Sequence, residues 1–120
     1  MIKTNQGFIK SLRLQRSEDF QQTFRLGNKQ KQGGLVVYTK PNSLGYARLG
    51  LAVAKKIVPS ATSRNRLRRL MRESFRLNQC RLPEVDIVIV VTSRSLYNNQ
   101  VLLCDLDKQW SRLEVFYKRA

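Results

Sequence analysis

The chain has 120 residues, the size of one domain. It carries 23 Lys and Arg against 8 Asp and Glu, a net charge of +15, and it has no histidine. That excess repels itself in the compact state, which points to a polyanionic partner (RNA, DNA or an anionic membrane) and excludes histidine-based metal and triad chemistry.

Apolar residues make up 42% of the chain, enough for one modest core. The charge is uneven along the sequence. From Phe20 to Arg72 there are twelve Lys or Arg and no Asp or Glu. The acids are Glu18 and Asp19, then Glu73 and the C-terminal third. The middle of the chain therefore carries the electrostatic footprint. Cys80 and Cys104, two lone cysteines far apart in sequence, offer no metal-ligand spacing and no disulfide framework. Both are expected as reduced thiols of a cytoplasmic protein, Cys104 in a helix core. The N-terminus has no apolar signal region, and no stretch approaches a membrane span.

A single domain is expected over residues 1–120, with residues 1–11 a mobile basic arm. "SEDFQQTFRLG" reads as a helix. Ser17 suits its cap, Glu18 and Asp19 its positive first turn, and Gly27 its stop. Phe20 and Phe24 lie four apart and share a face. "NKQKQGG" reads as a turn or loop. "LVVYTK" is a short β-branched strand holding Tyr38. "YARLGLAVA" alternates, with Ala47, Leu49, Leu51 and Val53 on one face. Tyr46, Arg48, Gly50, Ala52 and Ala54 are on the other, a surface of small side chains beside an arginine.

"SRNRLRRLMRESFR" holds six arginines in fourteen residues. Leu67, Leu70, Met71, Ser74 and Leu77 form one helical stripe. Asn65, Arg68, Arg69, Arg72 and Arg76 fall opposite, with Arg66 on a flank. The polar face is thus almost wholly cationic, with Glu73 its one acid. "VDIVIVVT" is an apolar run expected as a central strand buried on both faces. "SRSLYNNQ" reads as a loop. The last segment reads as a long helix packed by Leu103, Leu106, Trp110, Leu113 and Tyr117. The fold class is α/β (α+β): a two-layer sandwich of three helices on a small mixed sheet of about four strands.

No catalytic group stands out. Gly33-Gly34 lacks the spacing of a phosphate loop, and no metal-ligand set or general base is apparent. The arginine row favours nucleic-acid contact over a merely solvated face, because phosphate binding releases counterions. A membrane-surface helix would want bulky aromatics on the apolar face. Phe20, Phe24 and Tyr38 suit either a core or a stacking platform for unpaired bases. Lys55 and Lys56 end a strand just before the cationic helix. A DNA-binding helix could also use Arg-Asn-Arg.

At "AKKIVPSATSRNRLRRLMRESFR" the sequence resembles the bacterial ribonuclease P protein component. Arg64-Asn65-Arg66 followed by Arg68, Arg69 and Arg72 is similar to that family's RNR helix. "RLGLAVAKK" is similar to the strand before it and "SEDFQQTF" to the N-terminal helix. "LPEVDIVIVVTSRS" and the Trp-containing terminal helix also fit, so the likeness runs from about Leu12 to Leu113. The linker departs from the family pattern at Pro59, and only Arg94 keeps a charge after the buried strand.

The resemblance implies the protein subunit of a ribonucleoprotein endoribonuclease that removes the 5′ leader of precursor tRNA. Its partners would be the catalytic RNA and leader-bearing precursor tRNA, with neither DNA nor membrane expected. The chemistry would belong to the RNA, with Mg²⁺ bound mainly by RNA and substrate, and the protein alone would be inactive. Arg64, Asn65, Arg66 and Arg69 would face the catalytic RNA, with Lys55 and Lys56 bordering. Phe20, Phe24, Tyr38, Arg48, Ala52, Arg68 and Arg72 would line the leader cleft. A left-handed βαβ crossover is implied too. The alternative is a non-enzymatic RNA-binding module, such as a ribosomal protein or RNA chaperone.

Overall fold

A computed structural model describes residues 17–93 and 98–118. The expected arm over residues 1–11, the side chains of Ser17 and Glu18, and Arg94 lie outside the described residues. The elements run α1 (Ser17–Leu26), β1 (Asn28–Gln32), β2 (Leu35–Pro41), β3 (Arg48–Ala52), α2 (Ala61–Asn78), β4 (Val85–Val91) and α3 (Asn99–Lys118), with a 3-10 turn at Gln79–Arg81. The sheet order is β1-β2-β4-β3. β1–β2 and β2–β4 are antiparallel, while β3–β4 is parallel, so α2 serves as the crossover between neighbouring strands. The expected mixed four-stranded sheet with three helices is what forms.

The segment expected as a loop, Asn28–Gln32, is instead an edge strand. Its residues are all polar, so no apolar alternation marks it. Pairing with β2 defines it, and Gly33, at φ +58°, allows the two-residue turn that joins them. On the inner face, Gln30 accepts a 2.7 Å hydrogen bond from Nε2 of Gln109, a fully buried side chain of α3.

Strand alternation sorts side chains between two faces. Leu35 and Val37 of β2, Leu49 of β3, and Val85, Ile87, Ile89 and Val91 of β4 meet α2 and α3 in one core. β4 lies between β2 and β3 and is buried on both faces over most of its length, as its apolar run predicts. Helix α1 lies across the opposite face, over β2 and β4.

Each helix stripe differs from expectation at one end. In α2 the buried set is Leu67, Met71, Ser74 and Phe75, while Leu77 is 67% exposed. Leu67, Met71 and Phe75 repeat every four residues, and the Phe75 ring packs edge-on against Trp110 at 6.0 Å. Ser74 is buried because its Oγ accepts the Trp110 indole N–H at 2.9 Å. In α3, Leu102 rather than Leu103 is buried, with Leu106, Gln109, Trp110 and Leu113. That register turns Cys104 outward, so the thiol expected in the core is exposed, as is Cys80. Helix α3 also begins inside the segment expected as a loop: Oδ1 of Asn98 accepts the backbone N–H of Val101 at 2.8 Å and caps it.

Candidate nucleic-acid interface

Three features of the structure meet the expected site residues. The first lies under α1. Thr23 is buried against the sheet, and Phe20 and Phe24 follow from the same helix at its borders. The Phe24 ring contacts Tyr38 of β2 with centroids 4.5 Å apart, tilted by 40°. Phe20, Phe24, Ala52 and Val90 line an open, mainly apolar concavity of about 400 Å³. Ala52 and Val90 are register partners on adjacent strands, so the small side chain of Ala52 forms floor rather than wall. Phe24 stays 45% exposed beside this hollow while its ring contacts Tyr38.

Gly27 fixes this geometry. A Cβ there would sit 2.3 Å from the Thr23 carbonyl oxygen and 2.7 Å from that of Thr39. Only glycine allows the chain to end α1 and enter β1 this close to β2. Its N–H closes the helix on the Thr23 carbonyl at 2.9 Å.

The second feature is polar and lies beside the first. Arg48 donates from Nε and Nη2 to Asp86 at 2.8 and 2.7 Å, and Nη2 also lies 3.6 Å from Asp19 of α1. The Asp86 hydrogen bond holds the guanidinium above its ordinary pKa. Asn42 donates to the same carboxylate at 2.8 Å and to the Tyr46 carbonyl at 3.2 Å. Arg48 is on the cleft face as alternation predicts, but its guanidinium is held by carboxylates.

The third feature is on α2. Ser60 caps it, its Oγ accepting the Ser63 N–H at 3.2 Å. Asn65, Arg68, Arg69, Arg72 and Glu73 line one open groove of about 370 Å³. Residues expected to divide between catalytic RNA and leader therefore share one surface. Arg64 and Arg66 do not line that groove. Arg64 folds back to donate to the Val58 and Pro59 carbonyls at 3.0 and 2.9 Å, and Arg66 donates to Asn99 of α3 at 2.7 Å. Glu73, the one acid expected on this face, forms an i,i+3 ion pair with Arg76. That bond holds the Glu73 carboxyl below the ordinary carboxylate range. Lys55 and Lys56 are exposed in the turn between β3 and α2.

Lys29 and Lys31 do not stand out in the sequence, because the segment that carries them reads as a loop. Their alternation with Gln30 and Gln32 is the signal that could have placed them. Among the described residues, no three acidic or thiol side chains gather closely enough to hold a metal ion, and no helix is long and apolar enough to cross a membrane.

The sequence profile of the family Ribonuclease P matches residues 8–114. The ribonuclease P protein component of Chromohalobacter salexigens is 42% identical over 113 residues, spanning 92% of this chain and 88% of that protein. The structure of the Staphylococcus aureus RNase P protein superposes with a TM-score of 0.79 at 25% identity, covering 87% of this chain and 98% of that one. The RNase P protein from Thermotoga maritima, solved in complex with 1-(4-fluorophenyl)-2-thiourea, gives 0.76 at 31% identity, covering 83% and 98%.

Proposed function

The chain belongs to the ribonuclease P protein family, and we propose that it binds RNA through two surfaces, the α2 groove and the aromatic concavity under α1. It is the protein component of an endoribonuclease holoenzyme. In this reading the groove of Asn65, Arg68, Arg69 and Arg72 takes phosphates of the catalytic RNA and of the substrate. The concavity of Phe20, Phe24, Ala52 and Val90, with Tyr38 against the Phe24 ring, takes unpaired bases of the 5′ leader of precursor tRNA, which any base can satisfy by stacking.

The observation that carries the leader assignment is the exposed Phe24 ring on Tyr38, beside an apolar hollow, in a chain of charge +15. A domain that only grips duplex phosphates has no use for it. Lys55 and Lys56 lie in the turn that leads into α2 and add charge beside it. Arg48 acts here as a positioning residue, since Asp86 and Asp19 hold its guanidinium. Arg64 and Arg66 would reach the catalytic RNA only by leaving or sharing their present partners.

Mg²⁺ is the ion such an enzyme would use, and the described acidic residues do not fit it: the nearest carboxylates under α1, Asp19 and Asp86, are bridged by Arg48. In this reading the ion, and hydrolysis with it, belong to the RNA and substrate. This chain's residues bind and orient. A non-enzymatic RNA-binding module is not favoured, because the family profile and the relatives are ribonuclease P proteins.

The test is a pair of binding measurements on the reconstituted holoenzyme. Phe24→Ala is expected to weaken leader-bearing precursor tRNA by about 1–3 kcal/mol and to leave mature tRNA unchanged. Equal weakening of both would remove the leader assignment.

A further inference from the structure

Lys29 and Lys31 of β1 are the strongest basic feature that the two surfaces above leave unused. Their direction is settled by register. Gln30 and Gln32 point to the helical layer, where they meet Gln109 and Arg112. Lys29 and Lys31 therefore point to the face under α1. They pair in register with Tyr38 and Val36. The Lys29 Nζ lies 5.9 Å from the centroid of the Tyr38 ring, whose other neighbour is Phe24. Both lysines are exposed, and among the described residues neither forms an ion pair. Residues two apart on a strand stand about 6.7 Å apart, within reach of successive phosphates of an extended single strand. Lysine on an edge strand also guards against edge-to-edge pairing. That role alone does not call for a place beside a half-exposed aromatic pair.

We infer that Lys29 and Lys31 form an outer phosphate site, which takes the part of a long leader lying beyond the Phe24–Tyr38 pair. The inference rests on the leader assignment and extends it. A leader that ends at the aromatic pair would not reach β1. A longer one would pass over the β1 edge and place phosphates on both ammonium groups.

The test uses the holoenzyme with two precursor tRNAs, one with a dinucleotide leader and one longer by about eight nucleotides. Wild type should bind the long-leader substrate more tightly. With Lys29→Gln and Lys31→Gln combined, affinity for the long leader should fall about tenfold, and the salt slope should flatten by about 1.4. The short-leader substrate should be unaffected. If both substrates weaken equally, the lysines serve the RNA body and the inference is overturned. If neither weakens and the variant self-associates, they are edge guards and it is overturned again. If wild type itself does not distinguish the two leaders, the leader assignment fails first.

Discussion

Arg48 of β3 and Asp86 of β4 are register partners on parallel strands, joined by two hydrogen bonds of 2.8 and 2.7 Å. Asp86 is 6% exposed and Arg48 half-buried, so the pair is shielded from water on the face that α1 covers. Asp19 and Asn42 join the same centre, which ties α1, the loop after β2 and two strands together. Asp86→Ala would leave the guanidinium and the Asn42 amide without their main acceptor. Destabilisation of about 3 kcal/mol is expected, read as a lower urea midpoint. Arg48→Ala and Asp86→Ala should combine to less than their sum, because the second loss removes a charge already unpaired. Strict additivity would show that the pair contributes no coupling.

Glu73 is the acid in a groove otherwise lined by cations and asparagine, and it neutralises Arg76 from the same helix. Glu73→Gln should tighten RNA binding about two- to threefold at low salt and steepen its salt dependence. The direction for pH follows from the lowered carboxyl pKa. The pairing is intact above the ordinary glutamate pKa and is lost as pH falls through the lowered one. Binding by wild type should therefore approach that of Glu73→Gln only at a pH below the ordinary carboxylate range. Filter binding across pH checks both statements.

Arg68 and Arg72 share their groove with Asn65 and Arg69. Arg68→Ala with Arg72→Ala is expected to weaken leader-bearing precursor tRNA more than mature tRNA. Because the surface is shared, Arg69→Ala should follow the same pattern rather than affect assembly alone. If six phosphates are neutralised on assembly with the catalytic RNA, the log–log salt slope should be about −4 to −5. Titrations at several salt concentrations, with each variant, separate the two effects.

Much of the fold was legible because its signals are local. The apolar run of β4, the alternation of β3 and the single cationic face of α2 all follow from side-chain periodicity. β1 was hidden, since NKQKQ has no apolar period and exists as a strand only through its neighbour. The stripes of α2 and α3 slipped at one end, taking Leu77 for Phe75 and Leu103 for Leu102. Spacings of three and four both fit a helix, and only the partner surface chooses between them. The Cys104 error came from the same slip. In the site, the cationic face was read from periodicity, and the aromatic pairing of Phe24 with Tyr38 is consistent with the roles the resemblance implied. What the sequence could not reveal was which arginines are already held: Asp86 stands opposite Arg48, and Asn99 opposite Arg66, only once the elements have packed.

The central claim is that this chain makes a catalytic RNA competent to remove a leader. Its most direct measurement is leader removal from precursor tRNA by a ribonuclease P RNA at low Mg²⁺, with and without this protein. The account predicts cleavage at the mature 5′ end only when protein and RNA are combined, and none from the protein alone. Unchanged RNA activity on adding a folded, RNA-bound protein would contradict it.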